Sequence, residues 1–233
     1  MSTVRCLRAR DVDYGIALAW QHSTVDALRA GEPAEAVALI EHPPVYTMGA
    51  RGGRATVRGD VEGLPAPLVD ADRGGDITWH GPRQLVAYPI LNLRARGLGA
   101  GDYLARLEGM LLDTLAAFGI AGGLVEGRRG IWVGNDKVAA IGIRIQGGIS
   151  MHGIALNVAP DLEWFAPIVP CGLKDAGVTS MARVLGAAPA VDEVASAMRG
   201  AFERRFDCTL VDAPAEPLLL EGTFAPVGMA VLA

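Results

Sequence analysis

The stretch from residue 130 to 158 constrains the fold most, because three apolar segments follow one another with only short turns between them. The first two segments, 130–134 and 137–145, are separated by Asn135-Asp136. A pair of glycines at 147–148 separates the second segment from the third, which runs over 151–158. Turns this short join neighbouring antiparallel strands. The sequence therefore predicts an antiparallel meander.

Helices and further strands surround the meander without a repeating βαβ period. The patterns predict helices over 13–29, 102–118 (with Asp102 as N-cap) and 191–206, and strands over 35–42, 67–72, 84–93 and 208–211. Proline cannot donate to a ladder, so Pro89 predicts an edge position or a bulge. The Gly/Arg-rich stretch 45–59 is typical of a loop. This arrangement favours an α+β fold over a doubly wound sheet.

Length and composition bound the possible functions. With 233 residues and 51% hydrophobic content, the chain fits a single catalytic domain over 1–233, although the tail 213–233 has no clear pattern. A net charge of −5 argues against a protein that coats nucleic acid. Three widely spaced cysteines and no apolar leader or membrane-length run favour a cytoplasmic protein.

A polar, glycine-rich stretch over 73–84 lies between two predicted strands and is the first candidate for chemistry. It holds Arg73, two glycines, Asp76, Thr78 and His80. Glycines let a ligand approach the backbone closely, and loops often carry functional residues. The stretch matches neither the dinucleotide fingerprint nor the phosphate loop of nucleotide-binding proteins. A polar turn with a stacked His and Trp is the structural alternative.

Cys171 lies between Pro170 and Gly172, in a segment that cannot form a regular helix or strand. A loop cysteine becomes a nucleophile only when its thiol ionises, and an unperturbed thiol with a pKa of about 8.5 is mostly protonated at neutral pH. A nearby cation would lower that pKa. The candidate cations are Lys137, Lys174, His80 and His152. Cys6 and Cys208 fit structural positions better.

Two further stretches are unusual because they place polar residues beside small ones. Lys137 opens a strand whose next residues include Ala139, Ala140 and Gly142, and these leave room for a pocket. His152-Gly153 interrupts another strand, where glycine often marks a bulge or a ligand approach. A solvated lysine and a structural histidine are the alternatives for these stretches.

The four stretches together resemble the octanoyltransferases of lipoate biosynthesis. This family is also called lipoyl(octanoyl) transferase or octanoyl-[acyl carrier protein]:protein N-octanoyltransferase. The sequences RGGDITWHGPRQLVAYPILNL, KVAAIGIRI, HGIALNV and PCGL occur in that family's order and spacing, over about residues 35–185. One departure is Arg83, where many relatives have glycine.

The resemblance implies a fold of the biotin and lipoate protein ligase type, a mixed and mostly antiparallel sheet flanked by helices. It implies Cys171 as the nucleophile and Lys137 as the group that lowers its pKa. The implied substrate-binding residues are Arg73, Gly74, Gly75, Asp76, Ile77, Thr78, Trp79, His80, Ala140, Ile141, Gly142, Gly153, Ile154 and Ala155. Gly172 and the His152-Gly153 region are candidate oxyanion donors.

The resemblance also implies the reaction and the partners. Octanoyl-acyl carrier protein would be the donor, and Cys171 would carry the octanoyl group as a thioester. Lipoyl domains of 2-oxoacid dehydrogenase E2 subunits and the glycine cleavage H protein would be the acceptors. We expect no cofactor, no metal and a monomer. Acidic partners would need a basic patch at the site mouth. The candidates are Arg51, Arg54, Arg58, Arg73 and Arg83, with Arg128, Arg129 and Arg144 as further ones, and ordinary solvated arginines are the alternative.

Three other functions remain open at this point. An ATP-dependent lipoate or biotin ligase could share the fold, although it has no use for a cysteine nucleophile. A thiol hydrolase or amidase is compatible with Cys171 and the histidines, but the papain-type signature is missing. A non-enzymatic acyl-binding module would function without Cys171.

Overall fold

The computed structural model describes residues 2–53, 56–168 and 177–219. Twelve strands and four α-helices lie within these ranges. They are β1 (Ser2–Ala9), α1 (Tyr14–Arg29), β2 (Ala36–Ile40), β3 (Val45–Met48), β4 (Leu68–Asp70), β5 (Ile77–His80), β6 (Gln84–Ile90), α2 (Ala100–Ala116), β7 (Gly123–Val125), β8 (Arg128–Val133), β9 (Asp136–Gln146), β10 (Ile149–Asn157), β11 (Gly177–Val178), α3 (Met181–Leu185), α4 (Val191–Phe206) and β12 (Cys208–Asp212).

The main sheet has the strand order β12-β1-β2-β6-β10-β9-β8-β7, and β11 also pairs with β9. The predicted meander is confirmed, because β8, β9 and β10 pair antiparallel in sequence order. β1 is parallel to both β2 and β12, and β11 is parallel to β9, so the sheet is mixed but mostly antiparallel. This confirms the predicted α+β class.

Helices cover both faces of this sheet, as the alternation of side chains along the strands requires. On one face α2 and α4 bury residues such as Leu107 and Phe202 against Ile141 and Ile154. On the other face α1 packs Ala17 and other apolar residues against β2, β6 and β10. Within the described ranges, no helix is both long and apolar enough to cross a membrane.

A second, three-stranded sheet with the order β4-β3-β5 was not expected from the sequence. The prediction of a loop over 45–59 is wrong at its start, which forms β3. The polar stretch 73–84, for which no strand was predicted, contains β5. Both strands are short, and Tyr46 and Trp79 are buried in a separate apolar cluster beneath them. Four alternating residues next to glycines give too weak a period to distinguish a strand from a loop.

Two local predictions are corrected. β6 pairs with β2 on one side and β10 on the other, so Pro89 is not in an edge strand, although the registered pairing with β10 stops at Ala87.

Asp102 is not the N-cap of α2, since the helix begins at Ala100 after Gly99. The Asp102 carboxylate instead accepts a hydrogen bond from the Gly99 N–H at 3.1 Å.

The close approach of β6 to β10 makes Gly153 a required glycine, and this can be tested by stability. A methyl group at Gly153 would overlap the Ala87 carbonyl oxygen and crowd the Pro89 ring. We expect Gly153→Ala to lower the free energy of unfolding by about 1–3 kcal/mol, as overpacking does. Urea denaturation measures this change.

Gly101→Ala is the matched control, because Gly101 lies in α2 with no atom within 4 Å of the added methyl. It should raise stability by up to about 1 kcal/mol through helix propensity. Equal effects of the two substitutions would contradict the packing argument.

Candidate active site

An open cavity lies on the α1 side of the main sheet, above β9 and β10. It contains about 860 Å³ of empty space including its open mouth. Residues of α1, β5, β6, β9 and β10 line it. The cavity therefore lies where the small sheet faces the main sheet.

The floor of the cavity is built from four small residues on two neighbouring strands. Gly142 is paired with Gly153, and Ala140 is paired with Ala155. The Cβ direction at Gly153 leads to the Ala87 carbonyl oxygen of β6. The side-chain positions of Ala140, Gly142 and Ala155 lie on the cavity face, because residues two apart in a strand point the same way. Larger side chains here would fill the space that the cavity occupies. The floor is therefore a narrow apolar slot that runs along β9.

Residues 73–76, which we call the strap, close one end of this slot. The Gly74 N–H donates to the Ile143 carbonyl at 3.0 Å, which fixes the strap on β9. The Arg73 guanidinium donates to the Thr47 carbonyl at 2.6 Å and to Thr47 Oγ1 at 2.7 Å. Arg73 is buried, so these bonds hold its charge inside the protein. The strap also limits the space above Gly142, where a Cβ would lie 3.0 Å from the Gly74 carbonyl oxygen.

Lys137 lies at the opposite end of the slot, near the start of β9. The residue is only 6% exposed, and its Nζ lies 4.9 Å from the centre of the Trp132 ring. A cation above an aromatic face is stabilised by the quadrupole of the ring. Gly130 provides the room, since a Cβ there would lie 3.3 Å from Lys137 Cε. The sheet thus holds an ammonium group in a defined, largely buried position.

His80 is buried and has a defined tautomer. Its Nδ1 lies 2.8 Å from Gln84 Oε1, while the Gln84 amide nitrogen donates to the Trp79 carbonyl at 3.2 Å. Gln84 Oε1 is therefore an acceptor, and Nδ1 of His80 carries the proton. Burial, reinforced by the charge of Arg73, keeps the pKa of His80 well below its usual value. His80 is therefore neutral at neutral pH.

His152 lies far from Lys137. It is paired with Ile143, six residues beyond Lys137 along β9, which is about 20 Å at the rise of a strand. Burial, together with the Arg73 charge, lowers the pKa of His152 to about 3. Its 2.6 Å contact with Asp72 is therefore a hydrogen bond from a neutral Nε2–H to a carboxylate.

These observations exclude two of the predicted cations and one predicted oxyanion donor. His80 and His152 are neutral, so neither can lower the pKa of Cys171. The His152 N–H donates to Gln21 Oε1 at 2.7 Å and is not available to a substrate. Lys137 remains as a buried cation at the cavity. Lys174 and Gly172 lie outside the described residues.

Cys171 also lies outside the described residues, but the chain is fixed on both sides of the stretch that contains it. Before the stretch, Ile168 is buried and forms a β-bridge with Val57. After it, β11 pairs with the start of β9, and Val178 lies beside Lys137. Cys6 and Cys208 are buried, and burial raises the pKa of both thiols, that of Cys208 to about 11. Neither of these two cysteines is suited to be a nucleophile.

Most of the predicted substrate-binding residues meet at this cavity. Thirteen of the fourteen line it, namely Arg73, Gly74, Gly75, Asp76, Ile77, Thr78, His80, Ala140, Ile141, Gly142, Gly153, Ile154 and Ala155. Trp79 does not line the cavity. Its ring is buried on the other face of β5, stacked on Trp164 at 5.6 Å.

The family model for the lipoyl protein ligase A/B catalytic domain matches residues 13–203. The chain belongs to this family. It is 48% identical to the octanoyltransferase of Acidiphilium cryptum over 84% of this chain and 88% of the relative. It is 41% identical to the octanoyltransferase of Synechococcus elongatus over 92% of each chain.

The family's fold is also found among solved structures. The putative lipoate protein ligase Ta0514 of T. acidophilum, solved with bound lipoic acid, superposes with a TM-score of 0.73. The match covers 91% of this chain and 89% of that one at 14% identity. This likeness confirms the predicted fold of the lipoate protein ligase type.

Several cavity residues of this family member were not predicted from the sequence. They are Tyr14, Gln84, Tyr88, Asn157, Phe165 and Val178. Asn157 carried a signal, since it places a polar amide at the end of an apolar strand. Tyr14 carried none, because it lies in the first turn of a helix whose contacts cannot be read from its own sequence.

The predicted basic patch is only partly assembled at the cavity. Arg51 and Arg129 are exposed and line the cavity. Arg73 is instead buried against Thr47, and Arg144 is paired with Asp72. Arg83 is exposed and has a φ of 64°, a conformation that favours glycine, and its N–H donates to Glu41 Oε2 at 2.6 Å. Arg54 lies outside the described residues.

The neutral histidines make stability depend on pH. Burial lowers the pKa of His42 to about 4, and that of His152 to about 3. Below pH 6.5 the unfolded chain binds protons that the folded protein excludes, so stability falls as pH decreases toward 4. Between pH 7 and 5 we expect each of these histidines to cost about 2 kcal/mol of unfolding free energy.

Urea denaturation at pH 7 and pH 5 measures this loss. A His42→Gln variant serves as the comparison and should lose less stability between the two pH values. A free energy of unfolding that is the same at both pH values in the unaltered protein would show that these histidines are not held neutral.

Proposed function

We propose that this chain transfers an octanoyl group from octanoyl-acyl carrier protein to a lysine of a lipoyl domain, through a thioester on Cys171 and without ATP. The observation that carries the proposal is the similarity to octanoyltransferases at 41–48% identity over most of the chain. The cavity supports it, because it places a buried cation at one end of an apolar slot.

The first step exchanges one thioester for another. The Cys171 thiolate attacks the octanoyl carbonyl, and the tetrahedral oxyanion collapses by breaking the bond to the carrier's thiol. The departing thiolate takes a proton from the Lys137 ammonium. Little free energy is needed, because a C–S bond forms and an equivalent one breaks. The product is a covalent acyl-enzyme, as in other covalent catalysis.

The second step converts the thioester into an amide. The lysine amine of the acceptor attacks the acyl-enzyme, and the neutral Lys137 amine takes the proton that the attacking nitrogen loses. Cys171 leaves as a thiolate, and Lys137 is again an ammonium group. An amide is more stable than a thioester, so the step proceeds without ATP.

Lys137 has the electrostatic properties that this cycle requires. An ammonium beside a thiol favours the thiolate and lowers the thiol pKa. Burial strengthens this effect, because a charge pair out of water is screened less. Within the described part of the cavity, Arg51 and Arg129 are exposed cations and Arg73 is bonded to Thr47, whereas Lys137 lies beside β11, where the chain leaves the Cys171 stretch.

The slot is long enough for the acyl chain. An extended octanoyl group has seven C–C bonds of about 1.5 Å and spans roughly 9 Å, whereas Lys137 and Ile143 lie about 20 Å apart along β9. The chain would run from Lys137 over Ala140 and Ala155 toward the strap. Each buried methylene contributes about 0.8 kcal/mol, so the slot can select chain length.

The partners follow from the same chemistry. The donor is a carrier protein with a thioester-linked octanoyl group, and the acceptors are the lipoyl domains of 2-oxoacid dehydrogenase E2 subunits and the glycine cleavage H protein. Such partners are acidic, and the exposed Arg51 and Arg129 at the cavity give them a complementary charge. Steering by these arginines predicts an association rate that falls as salt increases.

Intact mass spectrometry after exposure to octanoyl-carrier protein tests the nucleophile and its cation. The protein should gain one octanoyl group on Cys171 without ATP, and Cys171→Ala should gain none. Lys137→Ala should slow acylation on the order of 10- to 100-fold at pH 7, because the thiol pKa rises by about one to two. The defect should shrink at pH 9, where the thiol ionises without help.

The alternatives give different results in the same assay. A requirement for ATP would identify a ligase, and rapid release of free octanoate without an acceptor would identify a hydrolase. Full activity of Cys171→Ala would exclude the covalent mechanism.

Chain-length selection by the slot is a separate prediction. Ala140→Leu places a branched side chain on the slot floor, so transfer of octanoyl should fall at least tenfold while transfer of butanoyl is retained. The ratio of kcat/KM values for the two acyl donors measures this. Ala140→Gly is the control and should keep the octanoyl preference. A parallel loss for both donors in Ala140→Leu would place the acyl chain elsewhere.

A further inference from the structure

Thr179 attaches the segment that leaves the Cys171 stretch to the residue that carries the proposed catalytic cation. Its backbone N–H donates to the Lys137 carbonyl at 3.0 Å. The two residues before it, Gly177 and Val178, are registered with Asp136 and Lys137. Gly177 permits this approach, because any side chain there would overlap the Asp136 carboxylate.

The Asn157 side chain completes this attachment from the neighbouring strand. Its Nδ2 donates to the Thr179 carbonyl at 3.0 Å, so Thr179 is bonded to β9 through its N–H and to β10 through its C=O. Asn157 and Thr179 are both 4% exposed. Water therefore cannot easily replace the bond, and loss of one partner leaves a buried carbonyl unpaired.

The orientation of the Asn157 amide is fixed from both sides. A backbone carbonyl only accepts, so the group that faces Thr179 must be the NH₂. Asn157 Oδ1 then accepts from Gln84 Nε2 at 2.9 Å, and Gln84 also donates to the Trp79 carbonyl and accepts from His80 Nδ1. Each hydrogen bond in this buried network of side chains therefore has a defined donor and a defined acceptor. Networks of this kind hold a single geometry.

We propose that Asn157 is a positioning residue that, through Thr179, holds the end of the Cys171 stretch against Lys137 and so maintains the ionisation of the Cys171 thiol. The inference rests on the proposed function, in which Lys137 keeps that thiol ionised. Among the described residues, the Asn157 amide bonds to Thr179 and Gln84. Its effect is transmitted by the two hydrogen bonds of Thr179, one to the amide and one to the backbone of Lys137.

If Asn157 had only a structural role, its substitution would lower the stability of the protein and leave the pKa of the Cys171 thiol unchanged. The test therefore measures the ionisation of that thiol. Asn157→Asp keeps the shape but replaces the NH₂ donor by an oxygen that faces the Thr179 carbonyl. We expect the pH midpoint for alkylation of Cys171 by iodoacetamide to rise by about one unit, with about tenfold slower acylation at pH 7. Peptide mapping separates Cys171 from the buried Cys6 and Cys208.

Gln21→Glu is the matched control, because Gln21 is a buried amide bonded to His152 at the far end of the slot. It should lose stability without a change in the alkylation midpoint. If Asn157→Asp does not fold, Asn157→Ser replaces it, since the shorter neutral side chain cannot reach the Thr179 carbonyl. The same rise in the midpoint is expected.

The outcomes separate the two proposals. An alkylation midpoint and acylation rate equal to those of the unaltered protein in the Asn157 variants would overturn the positioning role. Absence of any octanoyl-Cys171 in the unaltered protein would instead overturn the proposed function.

Discussion

The pairing of β9 with β10 is the constraint on which the rest of the site depends. Its register places Gly142 opposite Gly153 and Ala140 opposite Ala155, which clears a slot on the α1 face of the sheet. On the opposite face the same two strands carry Ile141 and Ile154 into the core. One strand pair therefore supplies both the stability of the sheet and the space for a ligand.

Charge is distributed unevenly along this slot, and burial is the reason. At the strap end, burial and the Arg73 charge lower the pKa of both His80 and His152, so they remain neutral although Asp72 contacts His152. At the other end, Lys137 lies over Trp132 beside β11. Under the proposed function, the small residues of the slot floor suit a hydrocarbon chain, and the end with Lys137 suits a thiolate.

The sequence was sufficient for the parts of the fold that local patterns determine. The turns at Asn135-Asp136 and 147–148 predicted the meander, and the apolar stripe of α2 predicted that helix to within two residues. Pairing between distant segments was not predictable: β1 joins β12 across two hundred residues and has no local signal. β5 was taken for part of a loop, so the alternation that turns Trp79 away from Thr78 and His80 was missed. The same difficulty hid Tyr14, which reaches the cavity only through tertiary packing.

The most direct test of the account is a structure of the protein trapped with an octanoyl group on Cys171. We expect the thioester to lie beside Lys137 Nζ and the acyl chain to run over Ala140 and Ala155 toward the strap. An acyl chain outside this slot, or a Lys137 ammonium that does not face the sulfur, would contradict it.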